Sequence, residues 1–205
     1  MGSSFNTIQI QNRHQLDTEQ FIKAFTEYMG KKGLVYTTEE YEEFSYFLAF
    51  SANSKWVTLS SPEYEIDFDS FSMDVEGLAK AMNTCCIGTC VFDSDISWLY
   101  LFDAPNEKKD TVAIGDPGMI NELLGMEYSA VRGKAECWTP LLDNEKTWEK
   151  LTSIWNNDYV FAEEALSNMA PLLGIDSMII MTDYSFWELD EGDISLLVTL
   201  YFHTA

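Results

Sequence analysis

Residues 84–116 read TCCIGTCVFDSDISWLYLFDAPNEKKDTVAIGD. Two apolar runs, TCCIGTCVF (84–92) and ISWLYLFD (96–103), flank the short DSD, and KDTVAIGD (109–116) follows after PNEK. Runs rich in β-branched and aromatic residues, bounded by Asp, Ser, Asn and Pro, read as strands. Connections this short join antiparallel neighbours, because a parallel return needs a long crossover. The stretch therefore predicts a three-strand antiparallel meander, and the rest of the chain is read outward from it.

Upstream, Phe5 to Gln11 reads as a strand. Asp17 is an expected N-cap for TEQFIKAFTEYMGKKG (18–33), in which Phe21, Ile22, Phe25, Tyr28 and Met29 recur at helical steps. Lys31, Lys32 and Gly33 suit its end. The acidic TTEEYEEF suggests a helical turn, and SYFLAFS (45–51) and KWVTLSS (55–61) suggest two strands around ANS. EYEIDFDSF (63–71) alternates acids with apolar residues, the pattern of an edge strand or extended loop. A helix is expected from about Ser72 to Met82, with Val75, Leu78, Ala79 and Met82 on one face.

Downstream, 116–140 collects Gly and Pro and reads as irregular or lightly helical, a boundary between two lobes. NEKTWEKLTSIWNND (144–158) and YVFAEEALSNMAPLLGI (159–175) read as helices, the second closed by Pro171 and Gly174. SMIIMTDYSFWEL (177–189) and ISLLVTLYF (194–202) read as strands joined by the turn DEGD. The expected fold class is α+β, with one or more mainly antiparallel sheets and helices on one face. An N-terminal lobe (1–115), a connection (116–140) and a C-terminal helix–helix–hairpin lobe (141–205) are expected to pack as one globular unit.

The 205 residues carry 34 Asp and Glu against 12 Lys and Arg, a formal net charge of −22. Nucleic acid and anionic membranes are poor partners for such a surface, since binding to phosphates rests on Lys and Arg. An apolar fraction of 46% with 14% aromatics supplies a core and excludes a disordered chain. The charge is not uniform. Residues 151–205 hold nine acids and no Lys or Arg, and residues 33–79 hold ten acids against Lys55 alone. Such a surface either serves solubility or complements a basic partner.

Cys85, Cys86, Cys90 and Cys137 are the cysteines. Neighbours on a strand face opposite ways, so CC-x3-C is a poor metal set, and buried thiols in a reducing cytosol are expected. No 18-residue apolar run and no apolar leader segment are found. His14 and His203 are the two histidines; one at a terminal strand is ordinarily packed or exposed rather than catalytic.

Motifs of nucleophilic, zinc-protease, phosphate-loop and dinucleotide chemistry are absent from the sequence. DEGD lacks the twelve-residue ligand pattern of a calcium loop. Asp93 and Asp95 form a D-x-D that could converge on a divalent cation, although D-S-D is also turn chemistry. The stronger candidate is a partner-binding segment: Glu63, Glu65, Asp67 and Asp69 to receive Lys or Arg, with Tyr64 and Phe68 as anchors.

KWVTLSS after an aromatic strand, the strand–DSD–strand meander and DYVFAEEALSNMAPLLGID (158–176) resemble small acidic bacterial immunity proteins of polymorphic toxin systems. The resemblance implies a cytosolic protein without catalytic residues or cofactor that occludes the active site of a basic toxin. It assigns no individual binding residue. Three functions follow in order: a non-enzymatic acidic binding protein, most concretely an immunity protein; a small divalent-metal-dependent enzyme using Asp93 and Asp95; and a structural or regulatory domain whose charge serves solubility.

Overall fold

The computed structural model describes residues 2–39, 43–52, 54–64, 68–125, 127–142, 146–187 and 194–205. Eight strands form one antiparallel sheet: β1 (Phe5–Gln11), β2 (Leu34–Thr37), β3 (Phe44–Ser51), β4 (Trp56–Ser60), β5 (Cys85–Phe92), β6 (Ile96–Asp103), β7 (Lys108–Gly115) and β8 (Ile194–Thr204). Their order across the sheet is β2-β8-β3-β4-β1-β5-β6-β7. The expected meander is β5–β6–β7, in register from Cys85↔Asp103 to Phe92↔Ile96 and from Ile96↔Gly115 to Asp103↔Lys108. The α+β class and the antiparallel sheet stand as expected. The last strand inserts between β2 and β3, so residues of both expected lobes share one sheet.

The helices are α1 (Thr18–Lys31), α2 (Phe68–Met82), α3 (Pro117–Leu124), α4 (Ala135–Trp138), α5 (Lys146–Trp155), α6 (Glu163–Leu173) and α7 (Ser177–Ile180). Asp17 caps α1 in a capping box with Gln20, and Gly174 ends α6 at φ 69°. The helices were expected on one face but occupy both. Helices α1, α2 and α3 pack through Phe21, Phe25, Val75, Leu78 and Ile120 on the face carrying Ile8, Leu48, Leu59, Cys86 and Trp98. Helices α4, α5 and α6 pack through Trp138, Trp155, Leu166 and Met169 on the face carrying Cys85, Ile87, Leu99, Leu101 and Val112. The cause lies in β5 and β6, whose successive residues are buried on both sides; a sheet apolar on both faces must be covered on both.

One further expectation is corrected. The described part of SMIIMTDYSFWEL, residues 177–187, is not a strand: Asp176 caps α7 by accepting from the Met178 and Ile179 amides, and Tyr184–Phe186 is a 3-10 turn capped by Asp183. A run of this length is apolar in either conformation, and the cap decides. LVYT forms a further edge strand, β2, that no local pattern marks. The DEGD turn lies outside the described residues.

Gly88 shows why α2 sits so close to the sheet. A Cβ there would stand 2.6 Å from Val75 Cγ2 and 2.8 Å from Phe71 Cε1, so a side chain would push the helix away. The same helix is clamped by Glu76. Lys80 donates to Glu76 Oε2 (2.8 Å), and Tyr100 and Lys109 donate to Oε1 (2.6 and 3.3 Å). The Lys80 bond foremost, then that of Tyr100, lowers the Glu76 carboxyl from its ordinary 4.5 to about 2. A carboxyl lowered in the folded state stabilises above its unfolded pKa, and that contribution is lost as pH falls through the folded value. Glu76→Gln should therefore cost about 1 kcal/mol at neutral pH. The gap to wild type should close as pH falls from about 4.5 toward 2. Urea unfolding of both proteins across that range checks it; a gap independent of pH would show that Glu76 acts through packing.

All four cysteines are free and buried, and burial raises each thiol. Thiol titration should find four reactive groups after denaturation without reductant and slow reaction in the native protein. Two or none after denaturation would contradict this arrangement.

Candidate acidic interface

Register and chain direction gather the candidate residues at one end of the sheet. Thr7 pairs with Ser60 and Phe5 with Val91, so the start of β1 lies beside the ends of β4 and β5. Ile96 pairs with Phe92 and Gly115, which places the start of β6 and the end of β7 at that same end. Glu63 and Tyr64 leave β4 there, Asp69 opens α2, Asp93 and Asp95 join β5 to β6, and Asp116 follows β7. Arg13, Lys55, Lys80, Lys108 and Lys109 fall at the opposite strand ends or beside them. Lys31 and Lys32, where α1 ends, share the first end, and Asp103, Glu107 and Asp110 share the second, so the two ends differ in charge excess and are not fully separated by sign.

The sequence-predicted segment is only partly an extended run. Phe68 and Asp69 are the first residues of α2, where an acid complements the positive end of the helix dipole. Phe68 leans on Trp98 at 5.2 Å between ring centroids. Tyr64 is half-buried, its ring edge-on to Phe71 (5.3 Å) and Tyr46 (6.2 Å), and burial raises its phenol. It wedges the margin of the core and offers a partner only part of its surface. Glu63, Tyr64, Ser70, Phe71 and Asp74 line a shallow cavity of about 140 Å³. Lys32 reaches Asp74 there in an ion pair. Met73, next to that acid, is 71% exposed. Glu65 and Asp67 lie outside the described residues.

The DSD turn holds its two acids to different tasks. Asp93 and Ser94 have φ of 48° and 60°, and the Asp95 amide donates to the Phe92 carbonyl (3.0 Å), a tight turn with two left-handed residues in the three-residue connection between the paired Phe92 and Ile96. Asp93 Oδ1 accepts from the Gly2 amide (2.9 Å). Ser94 is buried and stitches three segments: its Oγ accepts from the Ser3 amide and donates to Glu163 Oε1, and its carbonyl accepts from the Ala162 amide. Asp95 instead lines a notch. Among the described residues, no group of three His, Cys, Asp or Glu side chains is placed to hold a metal ion.

That notch, of about 260 Å³, lies between the end of β7 with α3 and the loop from α5 to α6. Asp95, Asp116, Met119, Asp158, Tyr159 and Val160 are among its walls. Asp116 doubles as the cap of α3, accepting from the Gly118 and Met119 amides at 2.8 and 3.0 Å. Beside it, Val160 is 79% and Phe161 50% exposed. A second cleft at this end, about 450 Å³, is lined by Ser3, Ser4, Phe5, Glu163, Met181 and Asp183 among others. Among the described residues, none of Glu63, Asp93, Asp95, Asp116 and Asp158 takes part in an ion pair.

Sequence reasoning passed over Asp116, Asp158, Val160 and Phe161. The available signal was NNDYVF, where two large apolar residues follow a helix end and precede the buried Ala162. The histidines lie elsewhere: His14 Nε2 is 3.3 Å from the Asn83 carbonyl, and His203 pairs with Val35 between β8 and β2. No described helix is long and apolar enough to cross a membrane. Compared with known proteins, the chain matches no family model, no curated protein and no solved structure.

Proposed function

We propose that the protein is a non-enzymatic binding protein whose acidic sheet end holds a basic protein partner. Its most concrete form is an immunity protein that occludes the active site of a basic toxin in the reducing cytosol. One observation carries the reading: carboxylates from five separate segments converge on one end, with exposed apolar side chains between them and Lys32–Asp74 the ion pair there among the described residues. Opposite fields raise the encounter rate of such partners, and apolar area between the charges supplies the holding contact. Four buried thiols suit a reducing compartment. Asp93 and Asp95 are turned to separate uses, which gives the metal-enzyme alternative no support.

The test is affinity capture from the cells that make the protein, with three baits: wild type, Glu63→Lys/Asp95→Lys/Asp158→Lys, and the opposite-end variant Lys55→Glu/Lys108→Glu. A basic protein retained by the first and third baits and lost from the second is expected. Equal retention by all three would contradict the proposal.

A further inference from the structure

We infer that the notch between α3 and the α5–α6 loop is the anchor point of that surface: Asp95, Asp116 and Asp158 receive one Lys or Arg side chain of a partner polypeptide, and Val160 and Phe161 pack against an apolar residue beside it. The inference rests on the function just proposed and narrows it to a position and a partner chemistry.

The apolar pair is the primary observation. Val160 and Phe161 are consecutive, large and 79% and 50% exposed, yet the next residue, Ala162, is buried and its amide is fixed to the Ser94 carbonyl at 2.8 Å. The pair therefore stands on an anchored base, and holding it in place on binding costs little conformational freedom. Met119 and Tyr159 extend the apolar area into the notch wall. Isolated exposed apolar residues are ordinary, but contiguous ones rimmed by polar groups mark contact surfaces.

Charge decides the occupant. Three walls of the notch carry carboxylates, no Lys or Arg lines it, and none of the three acids is in an ion pair among the described residues. An acidic, nucleic-acid or anionic lipid partner would meet like charge. An uncharged apolar partner would strip water from three carboxylates without compensation. A base flanked by an apolar residue satisfies both, through charge-assisted hydrogen bonds in the notch and apolar contact at its rim.

The test uses the full chain labelled with nitrogen-15 and two probes: acetyl-Leu-Arg-Leu-amide, and the same peptide with citrulline, which keeps the shape and removes the charge. Saturable amide shifts are expected at Asp95, Met119, Asp158 and Val160 with the arginine peptide, with about tenfold weaker binding of the citrulline peptide, as loss of a charge-assisted pair implies. Asp95→Asn/Asp158→Asn should remove the preference for arginine. Val160→Ser/Phe161→Ser should weaken both peptides alike. Equal binding of the two peptides, or saturable shifts confined to Glu63, Ser70 and Asp74, would overturn this inference and leave the acidic-end reading standing. Saturable shifts at neither place would overturn both.

Discussion

Trp155→Ala should lower the unfolding free energy by about 3–5 kcal/mol, a large share of the 5–15 typical of a domain. Trp155 is 1% exposed and ends α5 in the middle of an aromatic cluster. Its ring is edge-on to Trp138 at 5.0 Å and to Trp148 at 5.7 Å. Gly133, at φ 79°, lies so close that a Cβ there would stand 2.6 Å from the Trp155 ring. Alanine therefore leaves a cavity walled by β7 and α4, which the surrounding sheet is too rigid to fill. The indole N–H is buried and has no hydrogen-bond partner among the described residues, so Trp155→Phe forfeits none of the bonds seen and should cost far less, about 1–2 kcal/mol. Urea titrations of the three proteins, compared at unchanged slope, measure both numbers. A loss under about 1 kcal/mol for the alanine variant would mean that α5 does not dock on the second face of the sheet.

Much of this architecture is legible in the sequence where local chemistry and tertiary packing agree. Phe5–Gln11 is the strand expected, Asp17 caps the helix expected, the DSD turn joins the strands expected, and β3 pairs antiparallel with β4 as expected. The failures have particular causes. CCIGTCVF and ISWLYLFD are apolar at successive positions rather than alternate ones, which is the mark of strands buried on both faces, so helices on both sides could have been read there. SMIIM carries no period that separates strand from helix, and the two amides held by Asp176 settle it. LVYT is four residues at a sheet edge, too short to signal itself.

The candidate site was harder, because it is an effect of topology. Glu63, Tyr64, Phe68 and Asp69 were visible as a local alternation, but the neighbours that give the surface its character are remote in the chain. Asp116 and Asp158 reach Asp95 only because β7 ends where β6 begins and because the loop after α5 returns to that corner. No local pattern records which strand ends meet.

Charge reversal at this end should have the other large effect. Glu63→Lys/Asp95→Lys/Asp158→Lys moves the formal charge from −22 by six units, all at one end. Steering by complementary fields raises association rates about 10- to 1,000-fold, so the variant should associate with the basic partner proposed above at least about tenfold more slowly at low ionic strength. The gap should narrow toward 1 M salt, where the screening length falls to about 3 Å. Dissociation should change less than association, because rim charges act mainly on encounter. Stability should shift little, since the described residues give these side chains no ion pair to lose. Lys55→Glu/Lys108→Glu adds acid at the other end and should leave the association rate within about twofold.

The most direct measurement is the association rate constant of the captured partner with wild type and the triple variant, followed from 20 mM to 1 M salt. The account predicts a steep fall with salt for wild type, a nearly flat line for the variant, and convergence of the two at high salt. Parallel lines of equal height would contradict it, and would make the acidic end a solvated surface with no part in recognition.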